Sequence, residues 1–285
     1  MEIKTIKTIG VVGAGAMGNG IAQVCAQAGF DVIMNDREDA FVRRGLGTIQ
    51  KSLGKLAEKG KFGPEERDAI YARITPSTNI EDMAKADLVI EAVFEKFEVK
   101  KDLLGRLDGI CRPGTILASN TSSISITKLA AVTKRPDRVI GMHFFNPVPI
   151  MQLIEIIRAL QTSQETFETI RDLSAKLGKT AVAVNDSPGF VSNRVLMPLL
   201  NEAMYTLMEG VASAEDIDTA VKLGLNHPMG PLTLADYVGL DVCLDVMEVL
   251  HRELGDPKFR PCPLLRKMVD AGYLGRKSGQ GFYKY

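Results

Sequence analysis

A glycine-rich turn near the start of the chain constrains the fold more than any other feature of the sequence. Residues 13–18 read Gly-Ala-Gly-Ala-Met-Gly, directly after the apolar run Thr8–Val12 and directly before a helical pattern. A GxGxxG spacing is informative only between a strand and a helix, which is the setting found here. It predicts the first strand, turn and helix of a doubly wound, mostly parallel sheet of the Rossmann type.

The following residues alternate short apolar runs with longer amphipathic segments. The runs that we interpret as strands are Thr8–Val12, Asp31–Asn35, Ala86–Val93, Thr115–Ser119, Val139–Phe145, Met151–Ile157 and Thr180–Val184. The segments that we interpret as helices are Met17–Ala28, Ala40–Lys59, Pro64–Arg73, Lys96–Gly109 and Glu165–Leu177. Short runs rich in Ile and Val are typical of buried strands. Their alternation with helices predicts an α/β fold with right-handed crossover connections.

The pattern changes after Asp186-Ser187-Pro188-Gly189, where convincing strands cease. The remaining helical patterns are Phe190–Glu209, Ala214–Leu223, Pro231–Val238, Val242–Glu253 and Cys262–Ala271, with Gly and Pro between them. Such punctuation separates helices. We therefore expect an α/β domain over residues 1–186 and a smaller all-helical domain over residues 187–285.

Composition argues against several classes of protein. The 285 residues carry 35 Lys+Arg and 35 Asp+Glu, so a broad electrostatic surface for nucleic acid or anionic lipid is not expected. No apolar run approaches the roughly 20 residues of a membrane span, and the first strand begins too early to follow a cleavable leader. Four scattered Cys and three His residues predict no metal site and no disulfide framework. We expect a cytoplasmic protein.

The glycine motif indicates a dinucleotide cofactor. Gly13 permits the tight turn, Gly15 lets the backbone approach a pyrophosphate, and Gly18 permits close packing of the helix on the strand. Asp36, directly after the second expected strand, can accept hydrogen bonds from a ribose and would repel a 2′-phosphate. NAD is therefore expected rather than NADP, although the adjacent Arg37 could reach a phosphate.

Polar side chains lie near the ends of the later strands and at the start of the second domain. Glu155 interrupts the apolar strand Leu-Ile-Glu-Ile-Ile, and a buried carboxylate is costly unless it is paired. His143 is the obvious partner, which makes it a candidate general base oriented by Glu155. Ser122 and Asn193 could hold the oxygen of a reacting alcohol. From the residues alone, a structural histidine and a solvent-facing glutamate remain open alternatives.

At these residues the sequence resembles a known family, the L-3-hydroxyacyl-CoA dehydrogenases, and most closely its bacterial short-chain members. The matching stretches are IGVVGAGAMGNGIAQ, ADLVIEAVFEKFEVK, ASNTSSISIT, GMHFFNPVPIMQLIEII, DSPGFVSNRVLMPLLNEA, HPMGPLTLADYVGLDV and GRKSGQGFY. They extend over nearly the whole chain, and HFFNP together with PGF-x-x-NR is specific. The resemblance implies reversible oxidation of an (S)-3-hydroxyacyl-CoA to a 3-ketoacyl-CoA, with 3-hydroxybutyryl-CoA as the expected substrate.

The resemblance also implies roles for individual residues. His143 would be the catalytic acid or base, Glu155 its partner, and Ser122 and Asn193 the groups that bind the substrate oxygen. The implied NAD contacts are Gly13, Gly15, Ala16, Met17, Gly18, Asp36, Glu95, Lys100 and Asn120. Ser52 and Lys59, two turns apart on one helix, would bind coenzyme A. The thioester would lie in a cleft between the domains, and a homodimer would form through the helical domain.

Two alternatives compete with this interpretation. One is another NAD-linked hydroxyacid dehydrogenase on the same plan, such as an L-gulonate type; the Ser52–Lys59 stripe favours the CoA enzyme, because a small acid offers that stripe no phosphate. The other is a non-catalytic protein of the same fold, which would not need Ser122, His143, Glu155 and Asn193 together. A plain solvated lysine face would also explain the stripe.

Overall fold

The computed structural model describes residues 6–285. Residues 1–5 lie outside this part of the chain. The predicted start of the first domain at residue 1 and the expectation of no cleavable leader both concern these residues. The chain divides into two compact units after Ser187, one residue beyond the boundary expected from the sequence. The first unit carries the sheet, and the second is built from helices. The predicted fold class, a mostly parallel α/β sheet followed by a helical domain, is thus confirmed.

Eight strands of the first unit form one sheet. They are β1 Thr8–Val12, β2 Asp31–Asn35, β3 Ile74–Ser77, β4 Leu88–Glu91, β5 Ile116–Ser119, β6 Val139–Phe144, β7 Leu153–Arg158 and β8 Thr180–Asn185. Their order across the sheet is β3-β2-β1-β4-β5-β6-β7-β8. Every neighbouring pair is parallel except β6 and β7, which are antiparallel. The carboxyl ends of β1 to β6 consequently meet at one edge, where ligands gather in open α/β sheets.

α-Helices lie in most of the connections between these strands. They are α1 Ala16–Gln27, α2 Asp39–Glu58, α3 Pro64–Ala72, α4 Phe97–Ile110, α5 Ile126–Ala130 and α6 Gln164–Lys176. The middle of the sheet is its driest part: all side chains of β4, β5 and β6 are buried. Strands covered on both faces require the continuous apolar runs seen in the sequence. These buried strands form a rigid support beneath the edge of the sheet that carries the polar residues.

Strand β3 was not expected from the sequence, and the reason is Pro76. A proline within a run counts against a strand, because it cannot donate to the ladder of backbone hydrogen bonds. β3 lies at the end of the strand order and pairs only with β2. The position of the absent Pro76 N–H is on the unpaired side of β3, so the sheet loses no hydrogen bond. The short helix α5, only five residues long, was also missed.

The second unit contains five helices among its described residues, together with short 3-10 turns. These helices are α7 Ser192–Met208, α8 Ala214–Gly224, α9 Pro231–Val238, α10 Leu240–Leu254 and α11 Pro263–Asp270. Two buried carboxylates bind backbone N–H groups, one set at the start of a helix and the other in the C-terminal tail. Asp218 of α8 accepts hydrogen bonds from the backbone N–H groups of Leu232 and Thr233 and thereby caps α9. Asp236 of α9 accepts bonds from the N–H groups of Phe282 and Tyr283 and fixes the glycine-rich tail.

The four cysteines are all buried. Burial raises the pKa of Cys25 to about 12 and the pKa of Cys111 to about 11, so both remain protonated thiols at neutral pH. Over residues 6–285, no group of three or more His, Cys, Asp and Glu side chains could hold a metal ion. No helix in this range has the length and apolar content needed to cross a membrane.

Candidate active site

The glycine turn between β1 and α1 has the geometry that a dinucleotide requires. Gly13 has a φ of +103°, and a Cβ added to it would lie 2.5 Å from the carbonyl oxygen of Ala92. A Cβ on Gly18 would lie only 1.7 Å from the carbonyl oxygen of Gly13. A Cβ on Gly15, in contrast, would meet nothing within 4 Å. Gly13 and Gly18 therefore serve the turn itself, and Gly15 borders open space where a pyrophosphate can approach.

The start of α1 suits an anion. The N–H groups of Ala16, Met17 and Gly18 precede the first intrahelical hydrogen bond, which Asn19 donates to Gly15. No side chain caps this end, and its first turn contains no acidic residue. Three backbone N–H groups and the positive end of the helix dipole thus face the place where the glycine turn leaves room.

Asp36 lies beside this turn, directly after β2. Its Oδ2 accepts a hydrogen bond of 2.8 Å from the N–H of Ala14, and its Oδ1 accepts one of 2.8 Å from the N–H of Arg37. The carboxylate is therefore held against the turn, where a ribose would bind. The Arg37 side chain pairs with Glu38 at 3.2 Å and lies over the ring of Phe41. These residues fit NAD, because Asp36 can accept hydrogen bonds from a ribose and would repel a 2′-phosphate.

His143 and Glu155 are cross-strand neighbours in the one antiparallel pair of the sheet. Directly opposed residues point their side chains to the same face, with Cβ atoms about 5 Å apart. Nδ1 of His143 lies 2.8 Å from Oε2 of Glu155, and the two residues are only 7% and 1% exposed. The ring of Phe145 packs against the imidazole, with centroids 4.6 Å apart. Burial makes the carboxylate a strong partner for the imidazole and limits the ring to one orientation.

Ser122 lies in the loop after β5, at the same sheet edge as His143. Its N–H donates to Oε1 of Glu95 at 2.8 Å, and the Thr121 hydroxyl donates to the same oxygen at 2.5 Å. Burial opposes ionisation of Glu95, but the Lys100 ammonium, the Thr121 hydroxyl and the Ser122 amide outweigh it and hold the pKa of Glu95 below its usual range. Glu95 therefore stays ionised at neutral pH and sets the position of the loop that carries Ser122.

The structure buries one carboxylate that the sequence did not single out as a site residue. Glu91, the last residue of β4, is 0% exposed, and its oxygens accept from Nζ of Lys100 at 2.9 and 2.8 Å. Lys100 is 1% exposed and lies 3.3 Å from Glu95. The sequence signal for Glu91 was its place at the carboxyl end of a buried strand, with a lysine nearby in the next helix. A direct contact of Lys100 with the cofactor remains a prediction.

The other predicted site residues are placed as follows. Asn120 is nearly buried, and its Oδ1 accepts from the N–H of Phe144 at 2.9 Å, which joins the β5 loop to the end of β6. Asn193 is the second residue of α7, in the second unit, and is half-buried. Ser52 is half-buried on α2, and Lys59 is exposed directly after its last residue. The roles of Asn193, Ser52 and Lys59 remain predictions.

A glycine turn built for a pyrophosphate and a His–Glu pair at the same sheet edge define a class, the dinucleotide-linked dehydrogenases. The family description "3-hydroxyacyl-CoA dehydrogenase, NAD binding domain" matches residues 8–187, and the C-terminal domain of the same family matches residues 189–285. The chain belongs to the 3-hydroxyacyl-CoA dehydrogenase family, as the resemblance predicted, and its cofactor is NAD.

Close relatives cover almost the entire chain. A Deinococcus radiodurans protein named "Probable 3-hydroxybutyryl-CoA dehydrogenase" is 60% identical over 97% of this chain and 99% of its own. A Bradyrhizobium diazoefficiens protein named 3-hydroxybutyryl-CoA dehydrogenase is 52% identical over 98% of this chain and 96% of its own. The crystal structure of (S)-3-hydroxybutyryl-CoA dehydrogenase from Ralstonia eutropha is similar with a TM-score of 0.97, 55% identity and 99% coverage of both chains.

Proposed function

We propose that this protein interconverts (S)-3-hydroxybutyryl-CoA and acetoacetyl-CoA, with NAD as the redox partner. The observation that carries the proposal is the buried hydrogen bond between His143 and Glu155 in a chain of this family. Oxidation of a secondary alcohol needs a base for the hydroxyl proton, and reduction of the ketone needs the matching acid. An imidazole held by a carboxylate serves both directions.

The proton chemistry follows from which ring nitrogen is engaged. Nδ1 of His143 is held by Glu155, so proton exchange with the substrate falls to Nε2. In oxidation, His143 takes the proton of the 3-hydroxyl, and the Glu155 carboxylate stabilises the imidazolium that results. In reduction, the imidazolium returns that proton to the oxygen of the 3-keto group.

Ser122 is proposed to donate a hydrogen bond to the same substrate oxygen, where negative charge develops as the proton leaves. Glu95 fixes the backbone of this loop before substrate binds. The Ser122 hydroxyl itself donates to Oε1 of Glu95 at 3.2 Å, so it has only to rotate away from Glu95 to reach the substrate oxygen. Bound NAD would supply the hydride acceptor for oxidation of the carbon that bears the hydroxyl, and bound NADH would supply the hydride for reduction. Gly13, Gly15 and Asp36 would hold the cofactor at the turn described above.

The test is an assay of NADH oxidation with acetoacetyl-CoA. We expect rapid turnover with the thioester and NADH, and much slower turnover with NADPH because Asp36 disfavours a 2′-phosphate. Free acetoacetate should be a poor substrate, since it lacks the coenzyme A arm proposed to contact Ser52 and Lys59. Equal turnover of the free acid would favour a dehydrogenase of small hydroxyacids instead, and no turnover of either substrate would favour a non-catalytic protein of this fold.

Glu155→Gln tests the pairing of His143 with a charged partner. The amide keeps a neutral hydrogen bond, worth about 0.5–1.5 kcal/mol, in place of one to a charged group, worth about 1.5–3 kcal/mol. The loss of about 1–1.5 kcal/mol should lower kcat for reduction by about tenfold. Because the imidazolium loses its counter-charge, the decline of reduction rate with rising pH should begin at lower pH. Both effects are read from pH–rate profiles.

Glu168→Gln on the exposed side of α6 is the matched control, because it makes the same chemical change away from the sheet edge. It should leave both kcat and the pH profile unchanged. A Glu155→Gln enzyme with the profile of the unaltered protein would contradict the proposed role of Glu155.

We also propose that the protein forms a homodimer through its helical unit, as the family resemblance implies. Among the described residues, Val191 and Val195 near the start of α7 are 48% and 67% exposed in the single chain, which supports an apolar contact surface there. Light scattering should give twice the protomer mass. Val195→Glu should lower the measured mass toward that of a single protomer. If the unaltered protein itself has the mass of a monomer, the proposal is contradicted.

A further inference from the structure

Glu91 is a fully buried carboxylate that the proposed reaction does not use. All of its bonding is internal: Lys100 donates to both oxygens, the N–H of Val93 donates to Oε2 at 3.2 Å, and the Ser119 hydroxyl donates to Oε1. Glutamate and lysine are almost never fully buried unless they are paired. Here the pair lies directly below the edge of the sheet that carries the proposed site.

Stability alone is a poor explanation for this pair. Removing two charges from water costs about as much as their attraction returns, and apolar residues of the same volume often stabilise a protein equally well. The neighbours of Glu91 on the same face of the sheet include Val89 of its own strand and Val12 of β1, which are apolar and buried, so an apolar side chain would also suit this position. We therefore expect the charges of Glu91 and Lys100 to have a function other than stability, one that an apolar pair could not perform.

Contacts lead from Glu91 to Ser122. Nζ of Lys100 is held by Glu91 on one side and lies 3.3 Å from Oε2 of Glu95 on the other. The second oxygen of Glu95 accepts the N–H groups of Ser122 and Ser123 at 2.8 and 3.1 Å. The order of contacts is carboxylate, ammonium, carboxylate and loop, and each step is a charged hydrogen bond or ion pair.

We propose that Glu91 is a positioning residue for the reaction: it fixes the Lys100 ammonium, which fixes Glu95, which in turn holds the loop at the setting that Ser122 needs. The inference rests on the proposed function, because Ser122 is assigned there to the substrate oxygen. Without the charge of Glu91, Lys100 has Glu95 as its only remaining carboxylate partner among the contacts described above. The ammonium then shifts toward Glu95, and the loop shifts with it.

Glu91→Gln removes the charge and keeps the shape. We expect kcat for acetoacetyl-CoA reduction to fall by about 10- to 100-fold, the loss typical of a small displacement near reacting groups. The matched control is Asp108→Asn, which weakens another largely buried ion pair, that of Asp108 with Arg135 at 2.7 Å. Arg135 lies just before the amino end of β6, at the opposite edge of the sheet. Both variants should lower the melting temperature, but only Glu91→Gln should lower kcat.

A double-mutant cycle with Ser122→Ala separates positioning from general weakening. If Glu91 acts through Ser122, adding Glu91→Gln to Ser122→Ala should reduce kcat by less than about twofold further. If the two losses multiply, the proposed route through Ser122 is overturned. Unaltered protein that is inactive on acetoacetyl-CoA contradicts the proposed function, whereas active protein with a fully active Glu91→Gln variant contradicts this inference alone.

A second variant covers the case in which Glu91→Gln does not fold. Glu91→Gln combined with Lys100→Met removes both charges of the buried pair, so neither of them is left without its partner. Glu95 loses the ammonium but keeps its hydrogen bonds from Thr121 and Ser122. We expect this double variant to melt close to the unaltered protein and still to reduce acetoacetyl-CoA at least tenfold more slowly. If this double variant has normal kcat and normal stability, the Glu91–Lys100 pair only fills space in the core and does not position the loop.

Discussion

His143→Gln should reduce turnover of acetoacetyl-CoA by about 10²–10⁴-fold, the usual contribution of general acid–base catalysis. Glutamine can still hydrogen-bond to Glu155, so the strand pairing of β6 with β7 should persist. It cannot exchange a proton near neutral pH, so the substrate oxygen must take its proton from water. The measurement is the rate of NADH oxidation at saturating thioester.

Two comparisons make this result specific. NADH binding, followed by fluorescence, should be unaltered in His143→Gln, because the glycine turn and Asp36 are not touched. His251→Gln, in the last turn of α10 in the helical unit, should have normal kcat. A His143→Gln variant with near-normal turnover would rule out His143 as the proton donor and acceptor.

Gly18→Ala should disrupt both the fold of the turn and cofactor binding. The new Cβ would lie 1.7 Å from the carbonyl oxygen of Gly13, and that contact is with backbone, which cannot rotate away. Strain of this kind should lower the free energy of unfolding by about 3 kcal/mol. Misplacing two of the N–H groups that we propose bond the pyrophosphate, at about 1.5–3 kcal/mol each, should weaken NADH binding at least 10²-fold.

Denaturant unfolding and NADH titration measure these two effects. Substitutions at two other glycines serve as matched controls. Gly15→Ala meets nothing within 4 Å, so it should unfold like the unaltered protein but still bind NADH more weakly, because the methyl group occupies the approach of the pyrophosphate. Gly47→Ala, in the interior of α2, also meets nothing and should add up to about 1 kcal/mol of stability. A stable Gly18→Ala protein with normal NADH affinity would contradict the assigned role of the turn.

Most of the sheet could be predicted because its strands are apolar on both faces. The bounds of β1 and β2 match the predicted strands, since a glycine motif or a turn ends each of them sharply. β3 could not be predicted, because Pro76 makes sense in a strand only when that strand is known to lie at an edge. Sheet order depends on contacts distant in sequence, which local patterns do not encode.

The proposed site shows the same division. The residue types His143 and Glu155 were predicted from one physical argument, that a carboxylate inside an apolar strand needs a partner. That the two are opposed across an antiparallel pair depends on the reversal of β7, which no local pattern indicated. Glu91 was not predicted, because a single charged residue next to an apolar run usually marks the solvent-exposed end of a strand. Only its burial in the structure distinguishes Glu91 from such a residue.

Asp218 and Asp236 in the helical unit illustrate the limit further. In the sequence, each is an ordinary acidic residue within an amphipathic helix. In the structure, they are 6% and 1% exposed, and they accept backbone hydrogen bonds from α9 and from the C-terminal tail. A side chain that satisfies distant backbone groups leaves no periodic signal, so such residues are found only after folding is known.

The antiparallel pairing of β6 with β7 has a consequence for how enzymes of this plan can diversify. His143 and Glu155 are opposed through the pairing of β6 with β7, so the proposed acid–base pair depends on the sheet rather than on residues 145–152 that connect the two strands. A register slip of one residue would turn one partner to the opposite face and abolish the pair. Changes of length or sequence within the connection need not alter that register. The proposed acid–base pair can therefore persist while the connection changes in length, because the pairing of the two strands and not the connection fixes which residues are opposed.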